Sequence, residues 1–240
     1  MFESALTIVI PCYNEEKYIG RTLRHIKRQR GIDGVKIIIA DANSTDSTRS
    51  VIEQLAEQLS LNIEVIEGGL PAVGRNRGAA LATTPYLLFL DADVTFTHRT
   101  VVQDAIHTLY SGNYALLGTC PKYKGEPDLR ARLIFALNQA VTWYLSKTKP
   151  FAIGGFMLMR RFVFTEIGGF DEMAHQSEDW LFSRKVKPKK FKLEPHLITQ
   201  DNRRFKRYGY SKMIWLVFRN WLNRNNESYF YKDQNYWDNE

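Results

Sequence analysis

Tyr86-Leu87-Leu88-Phe89-Leu90-Asp91-Ala92-Asp93 is an apolar run closed by two acids with one alanine between them. Five apolar residues without polar alternation predict a strand covered on both faces, as in parallel sheets flanked by helices. Outward from it, the first half of the chain repeats one alternation. Strand-like runs occupy residues 6–11, 35–40, 62–66 and 114–119, and helical patterns fall between them at 14–30, 43–59, 73–81 and 98–110. That alternation predicts βαβ units and an α/β fold with a mainly parallel sheet. Asn14 is the expected N-cap of the first helix, with Glu15 and Glu16 in its first turn, and Asn43-Ser44-Thr45-Asp46 the expected cap of the second. Ligands in such sheets bind beyond the carboxyl ends of the strands. Asn14, Asp41, Asp91 and Asp93 all sit at those ends, so parallel strands would gather them on one edge.

The second half is less regular. Apolar residues at helical spacing predict one long amphipathic helix over 128–145. A short strand is expected at 156–159, a turn at Gly168-Gly169, a helix over 177–186, an extended run over 191–199 and an aromatic helix over 211–223.

Composition narrows the classes. At 240 residues, 44% hydrophobic and 25% charged, the chain is globular rather than disordered. The net charge of +7 suits nucleic acid, an anionic membrane or a phosphate-bearing substrate. The basic residues gather late, at Arg184, Lys185, Lys187, Lys189, Lys190 and Lys192, then at Arg203, Arg204, Lys206 and Arg207. No nucleic-acid recognition module is visible, so no nucleic-acid partner is expected. Two cysteines, Cys12 and Cys120, give neither a disulfide framework nor a zinc-ligand spacing. No signal peptide and no apolar run of the ~20 residues a spanning helix needs is present. The expected location is cytoplasmic, or peripheral on the inner face of the cell membrane.

Four constellations carry chemistry. Asp91 and Asp93 can offer oxygens to Mg²⁺ or Mn²⁺, which neutralises a diphosphate leaving group, although strand-end acids also serve as turn or cap residues. Asp41 can accept hydrogen bonds from a base or ribose. Arg75-Asn76-Arg77-Gly78 opens a helix after glycines and can bind phosphate, while at least one of its arginines fits a solvated face. Glu178-Asp179 can supply a general base, and adjacent acids also favour the start of a helix.

As an ordered set these pieces resemble the family 2 glycosyltransferases, which have the GT-A fold. The matching residues are Pro11-Cys12-Tyr13-Asn14-Glu15-Glu16, Asp41-Ala42-Asn43-Ser44-Thr45-Asp46, Gly74-Arg75-Asn76-Arg77-Gly78 and Phe89-Leu90-Asp91-Ala92-Asp93. Gly154-Gly155-Phe156, Gly168-Gly169-Phe170-Asp171 and Glu178-Asp179 follow. The resemblance covers about residues 5–205. It implies a single mixed, mainly parallel sheet flanked by helices, with a nucleotide-binding half (1–120), an acceptor half (121–205) and a basic aromatic helical extension (206–240).

The resemblance also implies roles. Pro11, Tyr13, Asn14, Glu15, Asp41 and Ser44 would hold base and ribose. Asp91, Ala92 and Asp93 would meet ribose and metal, with Asp93 the main metal ligand. Arg75 and Asn76 would lie near base or diphosphate. Asp179 would be the base, with Glu178 beside it. The implied reaction is inverting, metal-dependent transfer from a UDP- or GDP-linked sugar to a glycan, lipid-linked or small-molecule acceptor, in cell-envelope or polysaccharide synthesis. Two departures stand out. Ala42-Asn43 replaces the frequent Asp-Gly of the second motif. The histidine that many members carry after the last strand is missing, since His196 comes too early, and Arg203 and Arg204 would meet the diphosphate instead.

Two other readings remain. One is a non-catalytic nucleotide-sugar binder with the same fold. The other, a sugar-nucleotidyltransferase, needs a glycine-rich phosphate loop and a basic residue after the first strand, and this first turn has neither. Residues 206–224 interleave aromatic and basic side chains. That suits an interfacial helix on anionic lipid, and equally a helix packed on the core with its basic face in water.

Overall fold

The computed structural model describes residues 4–123, 139, 140, 142–144, 146–200, 209, 215, 218–220, 222, 223 and 226–232. The expected 128–145 and 211–223 helices fall largely outside the described residues, although 139, 140, 142–144 and 146, and 215, 218–220 and 222, are helical. Arg203 and Arg204 lie outside them altogether.

The first half is built from β1 (Leu6–Cys12), α1 (Ile19–Lys27), β2 (Lys36–Asp41), α2 (Thr48–Gln58), β3 (Asn62–Glu67), α3 (Pro71–Ala80), β4 (Tyr86–Leu90), β5 (Thr95–Phe96), α4 (Val101–Ser111) and β6 (Leu116–Tyr123). The second holds β7 (Phe156–Arg160), α5 (Arg161–Glu166), α6 (Glu178–Ser183), β8 (Phe191–Gln200) and α7 (Glu227–Phe230). All eight strands form one sheet in the order β3-β2-β1-β4-β7-β6-β8-β5. The β3-β2-β1-β4 half is parallel throughout. β7 then runs antiparallel to both β4 and β6, β8 is parallel to β6, and β5 pairs antiparallel with β8. The expected single mixed sheet is therefore present, and its irregularity lies in the second half.

The buried strands bury both faces, as their unbroken apolar runs require. Ile8, Ile10, Leu88 and Leu90 join one core with Ile19, Leu23 and Ile26 of α1. Val9, Leu87 and Phe89 join the other with Ala72 and Ala79 of α3, Phe164 of α5 and Phe182 of α6. This period-2 split is the strand geometry expected when helices cover each side. Each such side chain contributes about 1.5–3 kcal/mol when fully buried. α3 lies close on the sheet because it has glycines where it touches. A Cβ at Gly78 would meet Val9 Cγ1 at 2.4 Å, and one at Gly74 would meet Ala40 Cβ at 3.1 Å. That approach carries Arg75 into the interior.

Two expected caps are corrected. Asn14 does not cap α1, which begins at Ile19. Asn14 instead adopts the left-handed region (φ 49) and its Oδ1 accepts the Thr45 N–H at 2.8 Å. The second helix begins at Thr48 rather than near Asn43, and Asp46 Oδ1 accepts the Thr48 N–H at 3.0 Å. Asn43 has φ 59, a conformation asparagine tolerates better than most side chains, so it can stand where glycine is frequent. Cys12 and Cys120 are free thiols, and burial raises the pKa of both.

Candidate active site

The carboxyl ends of β1, β2 and β4 form one edge, because Cys12 pairs with Asp41 and Val9 with Phe89 in parallel register. Asn14, Asp41, Asp91 and Asp93 are thereby brought together, as their strand-end positions predict.

The loops after β1 and β2 are tied into one unit. The Asn14 N–H donates to Ser44 Oγ at 2.9 Å, the Glu15 N–H to Thr48 Oγ1 at 2.8 Å and the Glu16 N–H to Asp46 Oδ2 at 3.2 Å. Asp46 is held below the usual carboxylate range: burial opposes this, and donors from Thr48 and Glu16 outweigh it. Asp41 is fully buried and both of its oxygens are engaged. The Ser44 hydroxyl donates to Oδ1 and the Arg49 Nε–H to Oδ2 at 2.5 Å. Asp41 thus supports the loop from beneath instead of standing open to a ligand. On these loops Tyr13 is exposed, Pro11, Asn14 and Ser44 are half-buried, and Glu15 is buried.

Arg75 is the centre of the site. Only 2% of it is exposed. Its guanidinium donates to Asp91 Oδ1 at 2.8 Å and to Glu178 Oε1, and lies 5.4 Å from the Phe170 ring centroid. Burial acts against the charge, but Glu178, Asp91 and Asp179 outweigh it and raise the guanidinium pKa. One residue therefore spans from the strand-end acids to the acids of α6. Arg77 is the arginine that faces water, donating to the Gly68 carbonyl at 2.8 Å. Asn76 clasps the turn before α6: its Nδ2 donates to the Phe170 carbonyl at 2.9 Å and its Oδ1 accepts the Phe170 N–H at 2.9 Å.

Asp91 is partly exposed, whereas Ala92 and Asp93 are buried. The Asp93 backbone carbonyl accepts from Arg21 at 3.2 Å, and the flanking carbonyls of Ala92 and Val94 accept from Thr22. These contacts fix the turn from the α1 side. Among the described residues, no group of three or more His, Cys, Asp or Glu side chains is placed to form a metal cluster by itself. Asp91 and Asp93 are hard oxygen donors, and Mg²⁺ or Mn²⁺ takes few protein ligands when substrate phosphates and water complete the shell. The pair fits such an ion.

Asp179 accepts the Gly154 N–H at 2.7 Å on one oxygen and the Trp180 N–H at 2.7 Å on the other. Desolvation and the neighbouring Glu178 push its pKa up to about 7, against the lowering effects of Arg75 and the two N–H donors. A carboxyl titrating near neutrality suits a general base. His196 is exposed at φ 60, with its carbonyl accepting from Thr97 Oγ1, and contributes nothing to this cluster.

Sequence reading missed Gln176. It is 2% exposed, and neither amide atom has a partner among the described residues. No local signal marks it, because pairing is decided by distant neighbours. Leaving a buried amide unpaired costs about 1–3 kcal/mol. Gln176→Leu is accordingly expected to raise the thermal midpoint in ligand-free protein; a fall would show that bound water satisfies the amide in solution.

Comparison with known proteins agrees with this geometry. The model of glycosyl transferase family 2 matches residues 7–168. Validoxylamine A glucosyltransferase of Streptomyces hygroscopicus is 37% identical over 92 residues, covering 37% of this chain and 22% of that protein. The succinoglycan biosynthesis protein ExoA of Rhizobium meliloti is 29% identical over 186 residues, covering 72% of this chain and 54% of that protein. The matches thus span about half or less of the length of these relatives. Among solved structures, the Pyrobaculum calidifontis mannosyltransferase PcManGT, in complex with GDP-Man and Mn²⁺, superposes with a TM-score of 0.66 at 20% identity, over 82% of this chain and 56% of that one. S. aureus TarS 1–349, in complex with UDP-GlcNAc, gives 0.62 at 20% identity, over 82% and 58%. The match over two thirds of its length places this chain in glycosyl transferase family 2, as a glycosyltransferase domain with the GT-A fold.

Proposed function

We propose that this domain moves a sugar from a nucleoside-diphosphate sugar to an acceptor hydroxyl. One observation carries the reading: Arg75 joins Asp91, at the edge where parallel strands end, to Glu178, beside an acid titrating near neutrality. A donor-diphosphate end and an acceptor-activating end are thereby set one arginine apart. PcManGT and TarS, with GDP-Man and UDP-GlcNAc, support a nucleotide-sugar donor. ExoA, named for succinoglycan biosynthesis, supports a place in polysaccharide synthesis.

In the reaction proposed, the acceptor oxygen attacks C1 of the sugar and its proton passes to Asp179. The C1–O bond to the diphosphate breaks, and the nucleotide leaves with the bonding pair. One displacement from the face opposite the leaving group inverts C1. The loops after β1 and β2 orient base and ribose. Asp91 and Asp93 would hold Mg²⁺ or Mn²⁺, which would supply positive charge to the departing diphosphate.

Among the described residues, no helix is long and apolar enough to cross a membrane. The interleaved aromatic and basic side chains of residues 206–224 support contact with an anionic lipid surface, which vesicle co-sedimentation would read.

The reading is tested by thermal unfolding with UDP or GDP, with and without Mn²⁺. At a ligand concentration 100 times Kd, one of them should add about 2.7 kcal/mol of stability. Asp93→Ala should abolish the Mn²⁺-dependent part. No stabilisation by either nucleotide, and no nucleoside diphosphate release from a panel of nucleotide sugars, would overturn the proposal.

A further inference from the structure

The family match ends at residue 168, yet Asp179 lies beyond it, on a helix of six residues. A helix this short does not hold itself in place, since most helical stability in proteins comes from packing. Its N-cap, Ser177, sits in the left-handed region at φ 57 without a side-chain capping bond. A serine keeps that conformation only where its surroundings impose it.

The surroundings come from two directions. On the donor side, Arg75 holds Glu178, and the Gly154 N–H holds Asp179. On the other side, the hold comes from Asn220 and residues 226–231. Phe230 is 0% exposed and forms a small core with Ala174 and Leu181, its ring edge-to-face with Trp180 at 5.4 Å. The Phe230 carbonyl accepts the His175 N–H at 3.0 Å. The Tyr231 hydroxyl donates to Asp171 Oδ2 at 2.7 Å, where the turn before α6 begins. Asn220 Nδ2 donates to the Ser177 hydroxyl at 3.2 Å, and the Tyr229 hydroxyl donates to Asn220 Oδ1 at 3.0 Å. Glu227 pairs with Arg184, just past the end of α6. The bonds grip the 171–177 turn at three points, 171, 175 and 177, and Phe230 packs beneath α6.

We infer that Asn220 and residues 226–231 are a positioning element of the active site, with Phe230 its anchor, setting where Asp179 stands relative to the acceptor hydroxyl. The inference rests on the reading of Asp179 as the base. Phe230 and Tyr231 belong to none of the loops after β1, β2 and β4, so changing them acts on α6 first. Displacing a reacting group by about 1 Å costs about 10²-fold in rate. A purely structural role would instead lower the amount of folded enzyme and leave each folded molecule as active as before.

The test uses the full chain with Phe230→Ala, Phe230→Leu and Tyr231→Phe. Active sites are counted by bound nucleoside diphosphate, so that kcat is expressed per folded molecule. Phe230→Ala is expected to lower kcat for transfer by about 10-fold or more with donor KM unchanged. Its pH–rate limb should move to lower pH as water reaches Asp179. Phe230→Leu should recover most of the loss. If Phe230→Ala fails to fold, Tyr231→Phe, which removes one hydrogen bond and keeps the ring, carries the same signature at smaller amplitude. Wild-type kcat per site and an unchanged pH profile in the folded variants would overturn the inference and leave the proposed function standing. Wild-type protein that transfers sugar from no donor would overturn both.

Discussion

Arg75→Met is expected to cost about 3–5 kcal/mol of stability, because it breaks a buried ion pair from one side only. Glu178 is buried, and with Arg75 gone it would face Asp179 with no cation between or beside them. Asp91 would lose its partner as well. The methionine side chain fills a similar volume over Phe170, so packing loss is the smaller part. Denaturant unfolding measures the effect directly. The companion variant Arg75→Met/Glu178→Gln removes the orphaned carboxylate and should recover a large share of the loss, giving a non-additive cycle. A single-variant cost below about 1 kcal/mol would mean that water reaches the pair in solution, as it does for surface salt bridges. Activity should fall too. Arg75 lowers the Asp179 pKa, so its removal should move the rising limb of the pH–rate profile to higher pH.

That Arg75 holds this position was half legible in the sequence. The 74–78 stretch announces a helix beside a ligand edge, but Arg75 and Arg77 look alike there. Gly74 and Gly78 lie four apart on one helical face and mark where α3 touches β1 and β2. Arg75 and Arg77 flank that face equally, three residues before Gly78 and three after Gly74, so only the distant acid Glu178, which pairs with Arg75, tells them apart. The parallel half of the sheet was legible, since strand period, apolar runs and turn residues are local properties. In the second half the elements themselves were legible, but their pairing was not. β7 inserts antiparallel between β4 and β6, and β5 finds its only described partner in β8, about a hundred residues away. Such pairings depend on neighbours that no sequence window contains. Asp41 shows the same limit within the site. Its place after β2 was readable, but its engagement by Ser44 and Arg49 depends on how the following loop folds back.

Asp179→Asn should abolish transfer more selectively than any other single change. Removing a general base costs about 10²–10⁴-fold in rate. The asparagine keeps the shape and can still accept one of the N–H bonds now given by Gly154 and Trp180. Nucleotide binding should therefore survive, as read by the thermal shift with nucleoside diphosphate. The pH dependence gives the sharper criterion. Burial and Glu178 push the carboxyl pKa up to about 7, and a base acts only when ionised, so on the proposed role wild-type kcat/KM should rise with pH through the neutral range. In Asp179→Asn the residual rate should show no such limb. Glu178→Gln separates the neighbour from the base. Glu178 is one of the causes raising the Asp179 pKa, so this variant should keep a limb and shift it to lower pH. A limb that persists unchanged in Asp179→Asn would assign the titrating group elsewhere. Full activity in that variant would remove Asp179 from the chemistry and leave the Arg75 bridge a purely structural ion pair.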